Sequence, residues 1–212
     1  MSAWPNAEPN DADVPIDASG RTKLIAAVEA KDYAKARSLL TSRASTDVAT
    51  KDGQTPLYIA CKSNHEEIAN LLITAKASLE KANSSGFTPL FVASQKGAYG
   101  CVKLLLGLRA DTNKGARDRR TPLYVASEAG HASVAALLIK SRAAVDTAKN
   151  DDSTALIAAS YFGRSECVKL LLEADADLDM RDDDGTAYDN AFKQKQDEVG
   201  ACWCHLRCAS VP

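Results

Sequence analysis

Histidine is scarce in this chain of 212 residues: there are three. Two of them, His65 and His131, occupy corresponding places in a repeating pattern, and the third, His205, lies near the C-terminus. With so few imidazoles, no glycine-rich phosphate loop and no nucleophile elbow, acid–base and nucleophilic catalysis lack their usual parts. No stretch approaches the roughly 18 consecutive apolar residues of a membrane span. The N-terminus has no basic region followed by an apolar one. A formal charge of -2 gives no whole-chain argument for nucleic acid or an anionic membrane. These gaps point to a soluble, non-catalytic protein, intracellular (cytoplasmic or nuclear), with no cofactor expected.

Ordinary globular material is present, 45% hydrophobic and 25% charged, enough to bury a core. The charge is laid out unevenly. Residues 1–20 carry four acids and no base, residues 173–200 carry ten acids against three bases, and the body between holds 22 Lys and Arg against 14 Asp and Glu. Three of the six cysteines, Cys61, Cys101 and Cys167, fall at apolar positions of the pattern, where a reduced thiol behaves as a small hydrophobe.

The pattern itself is a period. "TPLYIA" at 55–60 returns as "TPLFVA" at 88–93, "TPLYVA" at 121–126 and a faded "TALIAA" at 154–159, and Thr22, Thr55, Thr88, Thr121 and Thr154 stand 33 residues apart. A period of this size signals a stacked array. The threonine hydroxyl caps a helix start, and proline in the first turn gives up no hydrogen bond. Leu57 and Ala60, with their counterparts in later units, line one face of a short first helix. A turn follows, with glycine at Gly97, Gly130 and Gly163, and a second helix carries paired leucines from Leu71 and Leu72 to Leu170 and Leu171. Neither helix buries its face alone, so stacking makes the core.

These letters resemble the ankyrin repeat: the 33-residue period, the T-P-L opening, Gly130-His131 in the turn, V-K-L-L-L at 102–106 and 168–172, and Ala110-Asp111. The resemblance covers residues 19–191 and implies an all-α, ankyrin-type helical solenoid of paired antiparallel helices with projecting hairpin loops. The expected organisation is an acidic disordered tail over 1–18, a cap over 19–51, repeats at 52–84, 85–117, 118–150 and 151–183, a degenerate cap at 184–200, and a Cys-rich tail at 201–212. The chain departs from the family where histidine usually follows T-P-L: Tyr58, Phe91, Tyr124 and Ile157 stand there, so that hydrogen-bond network must be rebuilt or given up.

Two clusters invite a metal reading. The acid run at 175–185 fails calcium-loop spacing, since Met180 and Thr186 occupy the places of the required glycine and glutamate; it reads as an acidic hairpin. "CWCHLRC" at 202–208 lacks the two separated ligand pairs of a zinc site. No metal site is assigned.

The resemblance also implies where a partner would bind: the hairpin tips and the exposed ends of the first helices, lining a concave face. There the sequence places Gln54, Phe87, Lys96, Arg119, Arg120, Glu128, Tyr161 and Phe162, and aromatics and arginines dominate most interfaces. Where the family usually has glycine after the second helix, this chain has Arg43, Lys76, Arg109 and Arg142, then Asp175. That basic ladder complements helix C-termini, or meets an acidic partner or the chain's own acidic N-terminal tail. The expected function is an adaptor or regulator, a monomer when isolated, that grips a protein partner without nucleic-acid binding or a membrane span. The rival readings are a structural subunit of a large assembly and the regulatory repeat region of a longer enzyme.

Overall fold

The computed structural model describes residues 11–195 and Val199; Trp4 and the Cys-rich tail lie outside the described residues. The threonine of each unit does what its spacing predicts. Thr22, Thr55, Thr88, Thr121 and Thr154 are extended, and each hydroxyl accepts the backbone N–H three residues on, at 3.1–3.3 Å. These caps open the first helices α1 (Lys23–Glu29), α3 (Pro56–Lys62), α5 (Pro89–Gln95), α7 (Pro122–Ala129) and α9 (Ala155–Tyr161).

A tight left-handed turn at Lys31, Asn64, Gly97, Gly130 or Gly163 leads into the second helices α2 (Tyr33–Thr41), α4 (Glu66–Thr74), α6 (Tyr99–Gly107), α8 (Ala132–Lys140) and α10 (Ser165–Glu173). A two-residue pair, β1 (Arg181–Asp182) with β2 (Gly185–Thr186), precedes the last helix, α11 (Ala187–Lys193), which Thr186 and Asp189 start with a capping box. The helices form two rows: α1, α3, α5, α7, α9 and α11 pack in series, and α2, α4, α6, α8 and α10 stack beside them. Such all-α packing is that of a helical solenoid.

The core runs along the seam between the rows. Leu57, Leu90, Leu123 and Leu156 are buried, and Ala60, Ala93, Ala126 and Ala159 are wholly sealed, so the first helices approach on small side chains. Of each leucine pair only the second is sealed (Leu72, Leu105, Leu138, Leu171), while the first lies at an intermediate depth. Adjacent residues on a helix point about 100° apart, so a narrow apolar face buries one of such a pair and tilts the other toward the edge.

Between units the hairpins make two rungs of hydrogen bonds. One is backbone to backbone: Lys51 N–H to Ser19 O, Ser84 to Asp52, Arg117 to Ser85 and Asn150 to Asp118. The other joins a side-chain oxygen to the next unit's N–H: Asp47 to Ser78, Glu80 to Asp111, Asn113 to Ala144 and Asp146 to Asp177, at 2.8–3.0 Å. Asp13 supplies an extra copy of the second rung, accepting Ser45 N–H at 2.8 Å. Residues 11–18, expected to belong to a disordered tail, thus sit where a preceding hairpin would. Ala12 is buried, Asp11 pairs with Lys23, and Asp17 accepts from Ser19 and Arg21. Little apolar surface is needed for this, because the backbone groups of the first hairpin would otherwise lack partners.

Candidate functional site

The residue after T-P-L is buried in each unit, and the following hairpin covers it. Asn83 reaches the Tyr58 hydroxyl at 3.4 Å. Arg120 lies 6.0 Å from the centre of the Phe91 ring, and Lys149 lies 5.7 Å from that of Tyr124. Each cation is also paired. Arg120 donates to Asp118 at 2.7 Å and approaches Glu128 at 3.6 Å, while Lys149 meets Asp151 at 2.8 Å. The carboxylate of Asp151 lifts the Lys149 ammonium above its ordinary value, and burial lifts the Tyr124 phenol. The six residues Asp118, Arg120, Glu128, Lys149, Asn150 and Asp151 line a cleft of about 320 Å³. At Phe91 and Tyr124, then, a ring met by a cation stands in the place of the usual histidine.

The expected contact residues divide. Phe87 is half-buried and stacks on Phe91 with centroids 4.4 Å apart and planes 7° apart, joined to the cluster of Phe91, Ala116, Tyr124, Val125 and Ala158. Phe87, Arg120 and Glu128 thus converge around Phe91, and packing holds all three. Gln54 lies half-buried in its hairpin, its N–H given to Thr50. Arg119 is exposed at a hairpin tip with φ +67°, and Lys96 is exposed at the end of α5. Tyr161 and Phe162, closing α9, stand 39% and 44% exposed in an edge-to-face pair with centroids 5.0 Å apart. The Phe162 N–H is given to Ala158 O at 3.1 Å, which ties the pair's backbone to the last member of that cluster.

Each histidine of the array ties adjacent units. His65 Nδ1 lies 3.1 Å from Val28 O, His131 Nε2 lies 3.2 Å from Gln95 O, and Arg164, in the same repeat position, donates to Glu128 O at 3.2 Å. The 33-residue spacing showed that these positions correspond, but not that each reaches back across the turn of the preceding unit. The acid run at 175–184 folds as turns and the β1–β2 hairpin, with Asp146 accepting Asp177 N–H and Asp177 accepting Asp179 N–H.

Among the described residues no group of three or more His, Cys, Asp or Glu could hold a metal ion. Cys61, Cys101 and Cys167 are free and buried. Burial pushes the Cys167 thiol up to about 11, and a hydrogen bond with Cys101, together with burial, holds Cys61 well above its usual value. Neither thiol is a ready nucleophile at neutral pH. Among the described residues no helix is long and apolar enough to cross a membrane.

A family model of ankyrin repeats, spanning three copies, matches residues 24–116 and 106–182. The chain belongs to the ankyrin-repeat family. No curated protein matches it. Ankyrin repeats are in general modules of protein–protein interaction and are typically non-catalytic.

Proposed function

We propose that this ankyrin array is an adaptor or regulator that grips a protein partner through the face formed by the hairpin tips and the ends of its first helices. The observation that carries the reading is the Tyr161–Phe162 pair. The threonines, leucines and alanines that define the repeat are buried, and the Phe91 cluster is closed by its own ion pairs, yet these two rings stand exposed side by side. Rigid, part-exposed aromatics are the usual anchors of an interface. Lys96, closing α5, and Arg119, at a hairpin tip, are exposed cations in earlier units. The exposed aromatics of the second helices, Tyr33 and Tyr99, lie two units apart.

The test is capture from source-cell extract by wild type and by Tyr161→Ala/Phe162→Ala, each checked for an unchanged urea midpoint. A protein held by the first and lost by the second supports the reading. Equal capture by both removes the face from consideration. Phe87 is unsuited to this test, because its ring is part of the packing.

A further inference from the structure

Arg43, Lys76, Arg109 and Arg142 all adopt left-handed backbone, with φ between +60° and +70°, where glycine is the unstrained choice. All four are exposed, and among the described residues none has a hydrogen bond or ion pair from its side chain. Attraction to a helix C-terminus explains a cation nearby, but not why the strained position itself carries it four times running. The carboxylates of the adjoining hairpins, Asp47, Glu80 and Asp146, are turned to the next unit's backbone N–H. The third and fourth rungs share one surface: Arg109, Arg142 and Lys140 line, with Leu106 and Ala110, a cleft of about 440 Å³ in which Asp111 is the one carboxylate among three cations. At the fifth unit the sign reverses, with Asp175 in the same conformation at φ +57°.

We propose that this edge docks an extended acidic segment of a partner protein bearing a carboxylate at every third residue. Packed helices stand about 8–10 Å apart, and an extended chain advances about 3.3 Å per residue. One unit of the stack therefore matches three residues of peptide, and four rungs match ten residues. Asp175 sets the register, since the next matching position of the peptide meets a carboxylate and takes a cation. This surface is separate from the Tyr161–Phe162 face, and either can fail without the other.

The test is fluorescence anisotropy of the full chain with a labelled 13-residue peptide carrying Glu at its first, fourth, seventh and tenth positions and Lys at the last. A second peptide of the same composition has its glutamates contiguous. The spaced peptide is expected to bind several-fold tighter. The variant R43G/K76G/R109G/R142G removes the charge while suiting the left-handed backbone, and should weaken binding by about tenfold, the product of four exposed ion pairs, with the urea midpoint kept. Asp175→Lys should tighten binding of a peptide ending in Glu, a gain of function that does not depend on the glycine variant folding. Tyr161→Ala/Phe162→Ala should leave affinity unchanged. Equal affinity for the two peptides, or binding that survives the glycine variant, overturns the proposal. So does tighter binding of a single-stranded oligonucleotide of equal charge that the glycine variant abolishes, which would make the edge a nucleic-acid surface.

Discussion

Replacing Ser127 by alanine should stabilise this protein. Ser94, Ser127 and Ser160 occupy one repeat position on the first helices, all wholly sealed from solvent, and their hydroxyls find no hydrogen-bond partner among the described residues. Cys61 holds the same position in the preceding unit, so a less polar group already fits there. A buried hydroxyl left unpaired costs about 1–3 kcal/mol. Alanine also gains a few tenths of a kcal/mol, roughly, as the better helix former. The void left by one oxygen atom subtracts less than about 1 kcal/mol. The balance is about 1–2 kcal/mol in favour of alanine at each site, or a rise in melting temperature of roughly 2–8 °C. Urea unfolding followed by circular dichroism reads this as a higher midpoint at an unchanged slope. Because the three serines stand in neighbouring units, the triple variant tests whether the gains add or couple. A lower midpoint for Ser127→Ala would refute the reasoning, since it would mean that the hydroxyl satisfies itself, for instance against a carbonyl one turn back. The reverse change, Cys61→Ser, should lower the midpoint by a similar amount.

Gly97→Ala should destabilise the array by about 1–2 kcal/mol: its φ is +65°, and a Cβ there would stand 2.6 Å from His131 Nδ1, so the His131 contact to Gln95 O should be lost along with the midpoint. Phe87→Ala should cost about 2 kcal/mol in urea unfolding, less than a sealed phenylalanine because the ring is half-buried on Phe91. Asp189 accepts the Thr186 N–H and hydroxyl at 2.9 and 2.8 Å, and these bonds hold its carboxyl below the ordinary 3.8. A depressed folded value stabilises α11 above that ordinary value and loses the effect as pH falls through the folded one. Amide protection factors in α11, each taken against the intrinsic exchange rate at the same pH, should therefore fall in acid, and Asp189→Asn should flatten that dependence.

The period made the frame legible. A capping threonine, a proline and a leucine within one turn of each other act on their own stretch of chain, so their letters are enough to place the helices and name the sealed leucines. The site was legible only in part. Tyr161 and Phe162 were expected at an exposed helix end and are exposed, whereas Phe87 and Arg120 share that expectation and are instead drawn onto Phe91. Nothing in the letters "GF" or "RR" tells a free tip from one that folds back, because the ring that receives them lies in another element. Asp13 gives the same lesson at the N-terminus. Its segment is polar enough to read as disordered, and the backbone N–H of Ser45, with the burial of Ala12 and the Asp11–Lys23 pair, gives it a place.

By itself, then, the sequence determined the helices, their order, their caps and the apolar seam, because these follow from hydrogen bonds and hydrophobic spacing within single units. The tertiary structure alone decided which side chains stay exposed. That choice depends on contacts between residues about one repeat apart, such as His131 across Gly97, Arg120 over Phe91 and Asp13 on Ser45, whose geometry exists only once one unit has been laid against the next.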